Sequence, residues 1–336
     1  MQRRYITPWV ILVILITPVD TPADEKGKAP EIARILLVKQ LPDSHIYSVD
    51  TNGRILLTLT NRPSEENRSP TWSSDGRKII FESNRTGIGR IFVMDVDGRN
   101  PYILSDPPEP VIDSMPRISP GGTKIVFVSN PNPFGGSRDI WVMDSDGRNR
   151  KNITNTSNSN EIFPDWSPDG RSLVFQSDRS GHWNLYVMDA DGRNCRQLTN
   201  TRADDYYPSW SPDGKKIAFC SFRDGHGQIY MMNVDGSQQR NLSVNNFHEI
   251  GPVIWSPGGS QILLSSDMDH FWFDVFVVDL LKKTRTRLTN LDGSNHYASS
   301  WYDPDIPLSI SMAKRFVTTW GWLRIPRLGF TQLGGT

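Results

Sequence analysis

The chain has 336 residues, enough for a substantial core, and its 37 Lys plus Arg cancel its 37 Asp plus Glu along the whole length. With no basic stripe and no net charge, nucleic acid and anionic membrane surfaces are excluded as electrostatic partners. Its 11 Trp, 26 Gly and 24 Pro, with frequent Asp-Gly pairs and few amphipathic runs long enough for helices, predict an all-β chain of short strands and tight turns.

Residues 1–23 read as a secretory signal: Arg3 and Arg4, an apolar run from Trp9 to Ile16, then small residues and prolines up to Ala23. That run is shorter than the ~20 residues a membrane span needs. No Cys follows it for lipid attachment. A mature chain without a transmembrane span, periplasmic or secreted, is therefore expected, an uncleaved anchor being the alternative. Residues 24–32 form a linker. Three strand-like runs come next: Arg34–Val38, His45–Val49 and Arg54–Leu59.

From there a unit repeats. Its clearest copies run from Phe163 to Ser177 and from Tyr207 to Ser221, each opening on a Pro-x-Trp-Ser-Pro-Asp-Gly segment. The anchors are Trp72, Ile118, Trp166, Trp210, Trp255 and Trp301, spaced 46, 48, 44, 45 and 46 residues apart. That period suits propeller blades rather than helical repeats. Each unit parses into a strand ending at the anchor, a Ser-Pro-Asp-Gly turn, a second strand such as Lys216–Ser221 and a looser loop. A third strand such as Leu185–Asp189 then leads to an Asp-Gly hairpin and a short fourth strand closing on Leu-Thr, as at Leu198-Thr199. After the fifth unit only Tyr297–Trp301 remains. One strand at that end and three at the other complete a four-stranded blade, so residues 33–304 are expected to close into a six-bladed β-propeller, followed by a tail over 305–336.

Pro-x-Trp-Ser-Pro-Asp-Gly followed by Lys-x-Ile-x-Phe-x-Ser and Ile-Tyr-x-Met-Asp-x-Asp-Gly resembles the blade pattern of the TolB family over roughly residues 33–303. Prolyl oligopeptidase propellers and oligogalacturonate lyases share such repeats, so the resemblance speaks to fold more than to function. It implies docking of a peptidoglycan-associated lipoprotein at the channel mouth. TolB proteins carry an α/β domain before the propeller, whereas about ten residues separate signal and first strand here. That domain is expected to be missing, which puts TolA engagement in doubt.

The sequence shows no nucleophile elbow, His-Glu-x-x-His, paired Cys-x-x-Cys or phosphate loop. A non-enzymatic, monomeric interaction module without a cofactor is the reading; a carbohydrate- or peptide-acting enzyme and a small-ligand binder are the alternatives. Cys195 and Cys220 are expected as free thiols, a bridge between them being the other reading. The candidate binding residues cluster in the loops leading into the first strand of each unit. Five residues before the anchors stand Asn67, Asp113, Glu161, Asp205, Ile250 and His296, with Glu249 beside Ile250; Arg68, Tyr206 and Tyr297 come one position later. Converging carboxylates repel unless they are paired or hold a ligand, so Arg68, Asp113, Glu161, Asp205, Tyr206, Glu249, His296 and Tyr297 are predicted to ring a mouth that is a candidate site for a cation such as calcium. A solvated polar rim is the competing explanation.

Overall fold

The computed structural model describes residues 32–40, 43–107, 110–132, 136–242, 250–267, 272–289 and 294–306. Residues 1–31, which hold the expected signal and most of the expected linker, Glu249 and the chain from residue 307 lie outside them. The described residues form six four-stranded antiparallel sheets and no helix, hence none long and apolar enough to cross a membrane.

Blade 1 holds β1 (Arg34–Gln40), β2 (Ser44–Val49) and β3 (Ile55–Thr58); blade 2 holds β4 (Asn67–Trp72), β5 (Lys78–Ser83), β6 (Arg90–Asp95) and β7 (Tyr102–Ile103). Blade 3 comprises β8 (Ile112–Ile118), β9 (Lys124–Asn130), β10 (Asp139–Asp144) and β11 (Lys151–Asn152). Blade 4 comprises β12 (Glu161–Trp166), β13 (Ser172–Ser177), β14 (Asn184–Asp189) and β15 (Arg196–Gln197). Blade 5 is β16 (Asp205–Trp210), β17 (Lys216–Ser221), β18 (Gln228–Asn233) and β19 (Arg240–Asn241). Blade 6 is β20 (Ile250–Trp255), β21 (Gln261–Ser266), β22 (Asp274–Asp279) and β23 (Thr284–Arg287). The last strand, β24 (Asn295–Tyr302), pairs antiparallel with β1 from Arg34 opposite Tyr302 to Gln40 opposite Asn295. Blade 1 thus draws strands from both ends of the chain, and the ring closes as the strand count predicts.

The core lies between blades. Six apolar clusters each draw on two neighbouring sheets; Trp72, Ile79 and Phe81 of blade 2, for instance, pack against Leu36, Val38 and Ile46 of blade 1. The Phe of each second-strand pattern, Phe81, Phe127, Phe175 and Phe219, is fully buried. Truncating such a side chain costs about 3–5 kcal/mol. The Leu-Thr signature divides its work. Leu198 packs in the core, while Thr199 accepts the Leu185 N–H at 3.0 Å through its hydroxyl; Thr60 and Thr289 do the same for Ile46 and Val275. Strand four can therefore be two residues long. Both cysteines are free, Cys195 exposed and Cys220 buried.

Each inner strand of blades 2 to 6 carries a register shift in its pairing. In blades 2 to 5 the cause is a Pro two residues before the anchor, which has no N–H to give to the ladder. The preceding residues Ser69, Met115, Phe163 and Tyr207 take φ of 49 to 54°. That conformation is strained for bulky residues and persists only where the surroundings impose it. Here the neighbouring blade does so: Gln176 Oε1 accepts the Tyr207 N–H at 2.8 Å, and the Glu82 carboxylate accepts that of Met115.

Candidate functional site

The residues five before the anchors stand at or next to the start of the inner strands, and the structure turns the side chains of Asn67, Asp113, Glu161 and Asp205 into the blades. Asn67, Asp113, Glu161 and Asp205 are 0% exposed. Each meets an arginine of its own blade. Arg150 grips Asp113 with two hydrogen bonds at 2.7 and 3.1 Å; Arg179 reaches Glu161 at 3.1 Å; Arg223 donates to both oxygens of Asp205 at 3.1 Å; Arg85 donates to Asn67 Oδ1 at 3.0 Å. Glu161 also accepts from Ser159 at 2.7 Å, Ser177 at 2.8 Å and Thr156. Each guanidinium lies over two rings from the second and third strands, as Arg223 does over Tyr230 at 4.5 Å and Phe219 at 5.6 Å. Arg85, Arg150 and Arg179 repeat the arrangement.

The acids are therefore paired one by one, and among the described residues no three His, Cys, Asp or Glu side chains come together as a metal cluster would require. Sequence reasoning missed the arginines, although a signal was there: Ser83-Asn-Arg85, Ser177-Asp-Arg179 and Ser221-Phe-Arg223 repeat one spacing at the end of the second strand. The serine hydroxyl accepts the Arg Nε–H in all three, at 2.7 to 3.0 Å.

The other candidates are scattered. Arg68 is 44% exposed and pairs with Glu66 at 2.7 Å. His296 is nearly buried, 3.6 Å from Asp274, and Tyr297 lies against Phe273 with ring centroids 5.3 Å apart. Tyr206 belongs to a larger group. Its ring is 6.1 Å from Trp183, 5.9 Å from Tyr207 and 5.8 Å from Phe222, all part-exposed, and Phe163 meets Tyr207 edge-on at 4.6 Å. Burial, with the 2.9 Å bond its hydroxyl donates to Asp204, pushes the Tyr206 phenol pKa up, so the ring stays neutral. Trp183 and Phe222 lie in different repeats, and only the ring geometry unites them.

A channel cavity of about 220 Å³ runs between the inner strands. It is lined from Met115, Phe163 and Tyr207 to Pro120, Pro168 and Pro212 of the Ser-Pro turns, and Asp113, Glu161 and Asp205 do not line it.

Three similarities bear on these features. A putative TolB from Agrobacterium tumefaciens superposes with a TM-score of 0.66 at 24% identity, covering 82% of this chain and 95% of that one. An uncharacterized protein of Agrobacterium fabrum is 36% identical over 141 residues, 39% of this chain and 46% of its own. The Tol-Pal system protein TolB of Francisella tularensis is 28% identical over 134 residues, 40% of this chain and 29% of its own. The chain thus spans less than half the length of these two relatives. Peptidase and oligogalacturonate lyase propellers share the fold at 17% identity or less, so the fold alone does not separate docking from catalysis. The family model described as the TolB beta propeller domain matches residues 90–305, which is 216 of the 336, and the chain belongs to that family.

Proposed function

We propose that the chain is a non-enzymatic docking module of the cell envelope, exported to the periplasm, whose face carrying the loops into the inner strands binds a peptidoglycan-associated lipoprotein. The observation that carries this reading is the part-exposed cluster of Trp183, Tyr206, Tyr207 and Phe222. Large amphipathic rings held in place by one another are the side chains that dominate protein interfaces. The Arg–carboxylate pairs beneath hold the strands from which this cluster projects. The Tol-Pal relative supplies the class of partner.

The reading takes no cofactor. Asp113, Glu161 and Asp205 each have a guanidinium already, and calorimetric titration with calcium is expected to give no heat. The decisive experiment is binding of residues 24–336 to the purified lipoprotein of the same host. Tyr206→Ala and Trp183→Ala should each weaken it by about tenfold or more, as truncated hot-spot aromatics do. Glu161 is a poor probe, because its variants disturb a buried cluster. Binding indifferent to both aromatics, or no binding by the folded protein, would refute the assignment.

A further inference from the structure

One level below the bulges, the residues just before the anchors line the channel together: Thr71, Arg117, Asp165, Ser209, Ile254 and Ser300. Two of these six are charged, with opposite sign, on adjacent blades 3 and 4. Asp165 is held firmly: its Oδ2 accepts the Trp210 N–H at 2.8 Å, and the Ser209 hydroxyl and Trp166 N–H also reach it. Arg117 is held by little. Among the described residues its guanidinium donates only to Pro116 O, at 3.0 Å, and makes no ion pair with Asp165 within 4.0 Å. Enclosure holds the Arg117 pKa below its ordinary value and pushes that of Asp165 up, although each charge favours the other.

The wall above this pair is largely apolar. Met115, Phe163 and Tyr207, each at a left-handed backbone position, line it, and the last two meet edge to face at an interplanar angle of 83°. Across the channel, blades 6 and 1 line it with uncharged residues, among them Ile254, Trp255, Ser299 and Ser300. The cavity is therefore polarised: a cationic and an anionic point side by side at one level, with an aromatic shelf on the same side.

We propose that the channel waist binds a small zwitterion of the amino-acid or dipeptide class, its carboxylate on Arg117, its ammonium towards Asp165 and its apolar side chain against Met115, Phe163 and Tyr207. A planar guanidinium with free donors matches a carboxylate in two-point geometry. A simple carboxylate would bring a second negative charge beside Asp165, and a simple cation a second positive charge beside Arg117. A dipolar ligand satisfies both and adds no net charge to an enclosed space. The volume also selects for size, since about 220 Å³ falls below the ~300 Å³ at which sites for drug-sized molecules begin. Tyr206, Trp183, Phe222, Asp113, Glu161 and Asp205 do not line this cavity; Tyr207 is shared with the docking cluster, but the Arg117 and Asp165 pair that the tests address is not, so the two readings are distinguishable.

The test is calorimetry on the full chain with L-phenylalanine, L-leucine and glycyl-L-phenylalanine, beside N-acetyl-L-phenylalanine and L-phenylalaninamide. At least one zwitterion should bind at millimolar affinity or tighter, and blocking either of its charged ends should weaken it about tenfold or more, as losing a charged hydrogen bond does. Arg117→Gln should abolish binding, and Arg117→Lys should leave an intermediate affinity. Asp165→Asn keeps an oxygen for the Trp210 N–H; it should weaken the zwitterion while leaving N-acetyl-L-phenylalanine unchanged or tighter. If Arg117→Gln does not fold, the blocked ligands and Asp165→Asn still decide. No heat and no thermal stabilisation from any of the three zwitterions, equal affinity for the blocked compounds, or binding that survives Arg117→Gln would each overturn the proposal.

Discussion

Glu82 offers the sharpest measurement of how the blades are stitched together. It stands on β5 opposite Arg68, and its carboxylate accepts the N–H of the left-handed residue Met115 in the next blade. Burial pushes its pKa up from 4.5 to about 7, against the pull of Arg68 and of that N–H, while Glu66 adds a smaller push upward. Between those two values the folded chain holds a proton that the unfolded chain has lost, so stability falls as pH rises through the window and stays level above it. At about 1.4 kcal/mol per pH unit the full effect is about 3–4 kcal/mol. Gln176 occupies the same position in blade 4, and its Oε1 accepts the Tyr207 N–H at 2.8 Å. Glu82→Gln therefore keeps the hydrogen bond and removes the charge. Denaturant unfolding of both proteins from about pH 5 to about pH 8 should show the wild type losing up to about 3 kcal/mol relative to the variant, with the variant the more stable at the upper end. Asp95 and Asp213, whose pKa values are lowered, lose their contribution as pH falls below this window and cancel in the comparison. Parallel profiles, or a variant less stable at about pH 8, would show that the Glu82 carboxylate is not desolvated and that the contact has been misread.

Three further outcomes are expected. Arg223→Met strands Asp205 in a fully buried position and should cost about 3–5 kcal/mol, a fall in Tm on the order of 10 °C, whereas Asp205→Asn should cost clearly less, because an amide oxygen still accepts from the part-exposed Arg223, as Asn67 does from Arg85 in blade 2; equal losses in thermal melts would contradict the pairing. Gly192→Ala should be far more damaging than Gly181→Ala: both have positive φ, at 92 and 90°, yet a Cβ on Gly192 would lie 2.3 Å from Ile153 O of blade 3, while one on Gly181 meets nothing within 4 Å. Comparable melting points would rule out that contact as the reason for the glycine. Ending the chain at residue 293 removes β24 and bares the β1 edge, so Tm should drop sharply, while ending it at residue 307 leaves every described strand and should do little; similar melting points for the two truncations would deny the closure.

The ring was legible because its determinants are periodic and local. Anchor spacing, the Ser-Pro-Asp-Gly and Asp-Gly turns and the leftover strands at the two ends each have a short-range physical cause, and together they specify blade number and closure. The bulges were not read. The missing N–H of Pro70, Pro116, Pro164 and Pro208 is visible in the sequence, but its consequence depends on an acceptor in the next blade.

The candidate site was harder for a related reason. Counting from the anchors placed Asp113, Glu161 and Asp205 at equivalent positions, and equivalence in a ring suggests convergence. Yet a position repeated in four blades is the kind most apt to be structural, because each blade must solve the same packing problem with its own partners. Arg85, Arg150, Arg179 and Arg223 are those partners; Arg150 arrives from just before strand four, the other three from the end of strand two, so a single spacing search finds only three. What sets one side of this ring apart is where the repeat breaks. Arg117 and Asp165 stand where other blades have Thr, Ser or Ile, and Trp183 and Phe222 lie in loops that the repeat leaves unspecified. In a closed array, packing accounts for the recurring residues, and chemistry specific to this chain is to be sought in the exceptions.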